Sequence, residues 1–152
     1  MLYRIAVSIV ILTSFLAISS CGLLREDPLV SYLTEREQEI SSFPMTAPVV
    51  FSEIYGSDWR EYSFICPYMS YRDVEDALSV EDPPIPKYGL SEGLNSLFLR
   101  SYNGEERWIR FSREEINLCP VSFPGLVLNT ISNPVEFKLE NRGGVWILSG
   151  VD

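Results

Sequence analysis

Histidine is missing from the sequence altogether. With it go the commonest general base, the Ser-His-Asp and Cys-His nucleophile pairs, and every metal site that needs an imidazole ligand. Cysteine is scarce, at three residues. There is no basic run, and 12 Lys and Arg stand against 21 Asp and Glu for a net charge of −9. Binding of DNA or RNA through phosphate neutralisation is therefore not expected, and nucleic acid is left out of the partners. No glycine-rich phosphate loop occurs, no stretch has the spacing of a twelve-residue calcium loop, and there is no internal repeat. Glu81 and Asp82 with nearby carbonyls lack that spacing too, so neither a metal nor a cofactor is expected. What remains is a chain of 152 residues, 46% hydrophobic and 12% aromatic, enough for one ordinary domain with a true core.

The longest apolar segment is also too short for one role. Ile5 to Ile18 is interrupted only by Ser8, Thr13 and Ser14 and follows Arg4, and no acidic residue appears before Glu26. Its 14 residues suit a secretory signal and fall short of the roughly 20 that a spanning helix needs. Ile18, Ser19, Ser20 and Cys21, followed by Gly22, resemble the lipobox of bacterial lipoproteins. The resemblance implies a diacylglycerol on the Cys21 thiol, cleavage before Cys21, and acylation of the new amino group. Two or three acyl chains give stable anchoring where one gives only marginal binding. Gly22 is not the aspartate associated with retention at the inner membrane, so the implied address is the cell envelope, at the outer membrane where the host has one, with the body outside the cytoplasm. The alternatives are an uncleaved amphipathic or transmembrane anchor, or ordinary signal cleavage that leaves Cys21 free. Loss of residues 1–20 removes one basic residue and no acid, taking the net charge from −9 to −10. Anionic headgroups repel such a body, so the acyl chains on Cys21 must hold it to the membrane.

The chain divides into a signal peptide over 1–20, a lipid-anchored helix and linker over 21–48, and a globular domain over 49–152. Asp27 can cap a helix running to about Glu39 with Pro28 in its first turn, and Leu29, Val30, Leu33 and Ile40 share a stripe. Residues 41–48, with Pro44 and Pro48, read as a connector. Arg60 to Cys66 alternates as a strand with Tyr62, Phe64 and Cys66 on one side. Ser70 and Asp73 form a capping box for a short helix with Val74, Ala77 and Leu78 inward. Residues 82–95 form a long loop. Asn103-Gly104 between strands 96–102 and 105–111 predicts a two-residue hairpin, with Leu99 opposite Trp108 and Phe98 opposite Ile109. On that register Phe98, Ile109 and Phe111 share a greasy face, which is either covered or an interaction surface. Ser112 and Glu115 suggest a second capping box and a turn or two of helix. Pro134–Glu140 and Val145–Ser149 form a last hairpin around Asn141-Arg142-Gly143-Gly144. Five strands, mostly in hairpins, and two or three short helices predict a small α+β domain with a mainly antiparallel sheet.

Cys66 and Cys119 are left as an even pair, and outside the cytoplasm a disulfide is the simplest expectation, with two buried free thiols as the alternative. Catalysis would have to fall to carboxylates. The candidates are Glu105 with Glu106, Glu114 with Glu115, Asp73 with Glu75 and Asp76, and Glu81 with Asp82, the sort of groups a cell-wall glycosidase uses in pairs. Adjacent residues on a strand point to opposite faces, and acids beside a turn ordinarily serve solubility, so no catalytic residue is assigned. The run D-W-R-E-Y-S-F-I-C-P-Y, ending at Tyr68, resembles a pattern of small, uncharacterised bacterial lipoproteins and exported proteins. They place a tryptophan, a short strand and a Pro-Tyr pair ahead of a helix and a hairpin; no activity is implied by it. Trp59 and Tyr68 read as core or rim aromatics rather than a ligand platform. The expected function is non-enzymatic: a lipid-anchored envelope module acting by binding or in envelope assembly. The alternative is an acidic inhibitor of a cationic enzyme such as lysozyme, for which charge and location are the only support.

Overall fold

The computed structural model describes residues 26–120 and 125–151. Cys21 and the signal segment lie outside the described residues. In chain order the elements are α1 (Pro28–Glu39), β1 (Met45–Val49), α2 (Phe51–Tyr55), β2 (Trp59–Ile65), α3 (Tyr71–Leu78), β3 (Leu94–Ser101), β4 (Glu106–Ser112), β5 (Ile116–Asn117), β6 (Asn129–Thr130), β7 (Val135–Leu139) and β8 (Trp146–Val151). They form the expected α+β domain, but with two four-stranded sheets, ordered β1-β7-β8-β5 and β4-β3-β2-β6. All pairings are antiparallel except β5 with β8.

Local chemistry explains both longer helices. The Asp27 carboxylate accepts the Leu29 N–H at 2.9 Å, Pro28 opens α1, and Leu29, Val30 and Leu33 turn into the core. The Ser70 hydroxyl accepts from the Asp73 N–H while Asp73 reaches back to the Ser70 N–H, so α3 starts on the capping box read from the sequence. Val74 and Leu78 are buried, but Ala77 is exposed.

Both sheets feed one core. Ala47, Phe137 and Leu148 from the first meet Tyr62, Phe64, Leu97, Leu99, Ile109 and Phe111 from the second, with the buried side of α1. The second sheet has a further core on its other face, where Ile65 and Phe98 pack with Val74 and Leu78 of α3 and with Val80, Ile85 and Leu90 of the following loop. The Arg100 guanidinium donates to the Leu78 carbonyl and ties the end of α3 to that sheet. Two links join the sheets. Cys66, just past β2, is bonded to Cys119, just past β5, with Cα atoms 5.7 Å apart. Asn95 on β3 is fully buried; its side-chain amide donates to the Phe111 and Ile116 carbonyls, both at 3.1 Å, and its oxygen accepts the Leu118 N–H at 2.6 Å.

Three local expectations are corrected. Residues 45–48 of the supposed connector form β1 together with Val49, and β1 pairs with β7 from Met45 opposite Leu139 to Val49 opposite Val135. Pro48 is tolerated there because β1 is an edge strand. No helix follows Ser112. Its hydroxyl accepts the Glu114 N–H at 3.2 Å in a turn that leads straight into β5, which pairs with Trp146 and Ile147. The hairpin loop has three residues rather than two. Ser101 N–H donates to the Glu105 carbonyl and Gly104 N–H to the Ser101 carbonyl, with Gly104 at φ +85°. This is the three-residue solution in which a left-handed residue closes the turn. It slips the register by one, so Phe98 faces Trp108 and Leu97 faces Ile109.

Candidate functional site

The residues singled out from the sequence go to different places. Cys66 and Cys119 are bonded, each about one-twelfth exposed, at 8%. Of the two alternatives for the greasy hairpin face, the covered one holds, and Phe98, Ile109 and Phe111 form no interaction surface. Phe98 is 0% exposed, Ile109 9% and Phe111 3%. The slipped register also puts Phe98 on the α3 side and the other two in the inter-sheet core. The supposed patch was thus two halves of two interiors. Glu105 and Glu106 are exposed beside the hairpin turn, and Glu81 and Asp82 are exposed in the long loop. Trp59 is half-buried against the main core, whereas Tyr68 is 70% exposed with φ 65°.

The acids that do gather line a groove of about 400 Å³ between α1, the turn after β4 and the β7–β8 turn. Val30 and Leu33 of α1, Ile116 and Trp146 form its apolar lining, and the carboxylates of Glu37, Glu114 and Glu115 stand around it with Thr34 and Ser112. Helical spacing puts Val30, Leu33, Thr34 and Glu37 on one stripe of α1. Its far wall is held by two contacts across the chain: Gly143 N–H donates to Glu37 Oε1 at 2.6 Å, and the Arg142 guanidinium donates to the Ile40 carbonyl at 3.1 Å. Gly143 sits at φ +68°, a left-handed conformation that suits glycine. Among the described residues no basic side chain lines the groove. Such a surface can take a cationic group on an apolar stem, its methylenes on the lining and its charge among the carboxylates.

A second hollow, of about 310 Å³, lies beside the start of α1 and is bounded by Glu26, Asp27, Ile54, Tyr55 and Arg107. Its polar groups satisfy one another. Tyr55 O–H donates to Asp27 Oδ1 at 2.6 Å, and the Arg107 guanidinium lies 3.8 Å from Asp27 Oδ2 and 5.5 Å over the Tyr55 ring. Burial, and then the Asp27 charge, push the Tyr55 phenol above its ordinary value, so it stays neutral. This is a structural clasp for α1.

Among the described residues no group of three or more histidine, cysteine, aspartate or glutamate side chains is placed to hold a metal ion. Among them, too, no helix is long and apolar enough to cross a membrane. Glu37 and Gly143 were beyond sequence reasoning because 106 positions separate them; the only signal was the Arg-Gly-Gly turn itself. No family model, no curated protein and no solved structure matches this chain.

Proposed function

We propose that the protein is a lipid-anchored module of a bacterial envelope, carried outside the cytoplasm on acyl chains at Cys21, and that it acts by binding a cationic partner rather than by catalysis. The observation that carries the anchor is the Ile18-Ser19-Ser20-Cys21 sequence at the end of a 14-residue apolar segment. The Cys66–Cys119 bond is compatible with that address, because disulfides persist where thiols are not kept reduced. Charge supports the partner's chemistry: the body is strongly acidic, and the groove along α1 combines an apolar lining with three carboxylates.

The test of the anchor is cell fractionation of the wild type and Cys21→Ala. The wild type is expected in the membrane fraction and the variant in the soluble exported fraction; a variant still held at the membrane would contradict acylation. Binding is tested by cross-linking in the native envelope from Glu37 and Glu114, with captured proteins identified and the sign of their net charge compared with that of this acidic chain. Capture of predominantly acidic proteins would contradict the electrostatic reading.

A further inference from the structure

β2 runs from Trp59 to Ile65 and β3 returns from Leu94 to Ser101, which gives the second sheet two distinct ends. One end holds the start of α1, where Asp27 is paired with Arg107 near the 102–104 turn. Asp27 lies six positions after Cys21, so the anchored chain can place no more than about 20 Å between lipid and body there. The opposite end is formed by residues 66–70 and 86–93. We infer that this opposite end is a docking surface for an arginine- or lysine-rich protein segment, with Tyr68 and Tyr88 as its aromatic contacts. The inference rests on the binding reading above and names the surface and partner chemistry for it.

Tyr88 is 84% exposed and Tyr68 70%, the former the most exposed large apolar side chain among the described residues. Tyr68 sits at φ 65°, a conformation that costs a bulky residue free energy and that asparagine or glycine would adopt more cheaply. The interior gains nothing from the ring; its hydroxyl meets only Glu92, on the surface, at 3.3 Å. Exposed strain of this kind is kept where the side chain has a use outside the fold.

The two loops form a rigid mount. Tyr68 N–H donates to the Leu90 carbonyl at 3.2 Å, and Pro67 bridges Leu90. Gly89, at φ +85°, lies so close that a Cβ would be 2.4 Å from the Met69 carbonyl oxygen. The Cys66–Cys119 bond is one residue away from Pro67. Contacts held this way lose little entropy on binding. Charge selects the occupant. Glu92 touches Tyr68, and the Arg113 guanidinium donates to the Glu92 carbonyl at 3.1 Å, which brings neighbouring Glu114 and Glu115 to the same end. Arg113 itself is committed to Glu92, Asn117 and Cys119. Lys87 lies 5.8 Å over the Tyr88 ring and is the cation an incoming arginine would displace. Tyrosine faces attract such cations, and neighbouring carboxylates reinforce them.

The test uses the protein purified from its host and a fluorescein-labelled octapeptide of alternating arginine and glycine, followed by anisotropy at low salt. Binding is expected to weaken with salt, to fall about tenfold in Tyr68→Asn/Tyr88→Ala, to tighten in Lys87→Ala, and to be unchanged in Tyr102→Ala at the other end. Asparagine suits the left-handed backbone, so the double variant should melt no lower than the wild type, which separates lost contacts from lost folding. Wild-type affinity in the double variant would overturn the surface. If Glu37→Gln abolished binding while the double tyrosine variant kept it, the groove would be the site and the binding reading would stand without this surface. No binding by the wild type, or tyrosine-dependent binding of a cell-wall disaccharide instead, would overturn the partner chemistry itself.

Discussion

In the sheet β1-β7-β8-β5, side chains of β1 and β7 alternate between core and surface, as in Val135, Phe137 and Leu139 inward with Glu136 outward. The strands β2 and β3 of the other sheet carry near-continuous buried runs, because α3 and the 80–90 loop cover the face that the common core does not. The difference shows what coverage does to sequence pattern: a half-covered sheet advertises its faces, and a doubly covered one conceals its register. It also locates the costs of failure, since the buried runs of β2 and β3 have no solvent-facing side to relax into.

The sharpest way to break the comparison is a matched truncation. Phe98→Ala on β3 should cost about 4 kcal/mol, through lost burial and the cavity left against Trp108, while Glu136→Ala on β7 should stay within about 0.5 kcal/mol. Urea denaturation of both checks this, and equal effects would refute the two-sided burial of β3. The links between sheets come next. Cys66→Ser/Cys119→Ser opens a loop with a sequence separation of 53 and should lose roughly 4 kcal/mol on the chain-entropy account, read from the same denaturation curves. Asn95→Leu leaves the Phe111 and Ile116 carbonyls and the Leu118 N–H without that side chain and should cost about 3 kcal/mol.

A change of opposite sign is expected at Tyr62, whose buried hydroxyl has no hydrogen-bond partner among the described residues although its ring packs 4.7 Å from Phe51. Tyr62→Phe should raise stability by about 1 kcal/mol, measurable as a higher Tm. The smallest effect concerns pH. Burial pushes the Glu61 carboxyl up, but hydrogen bonds from Arg60 and Arg100, both at 2.9 Å, outweigh it and leave the pKa below the ordinary value. The native state therefore holds this proton less readily than the unfolded chain, so its stabilisation is present above the unfolded pKa and lost as pH falls through the native one. Glu61→Gln should flatten the acid limb of the stability curve while leaving its neutral side nearly parallel to the wild type.

Legibility in the sequence followed the range of the interaction. The caps at Asp27 and Ser70 involve residues two or three positions apart and were plain. So was the alternation of β7. The hairpin was located by Asn103-Gly104, but its register was not, because a three-residue loop and a two-residue loop use the same glycine signal. That slip manufactured the Phe98–Ile109–Phe111 patch. β1 was hidden by Pro48, which only an edge position excuses, and β5 is two residues long and makes sense only beside Trp146. The groove joins α1 to a turn more than a hundred residues later, and nothing local announces it. The strain at Tyr68 was likewise invisible, since Cys-Pro-Tyr carries no mark of a left-handed tyrosine.

The claim on which the functional account stands is the acylated thiol, and mass spectrometry of the intact protein from fractionated cells tests it most directly. A mature chain beginning at Cys21 in the membrane fraction, heavier than its polypeptide by a diacylglycerol and an N-acyl chain, is the predicted result. A soluble chain with an unmodified Cys21, or one retaining residues 1–20, would contradict it.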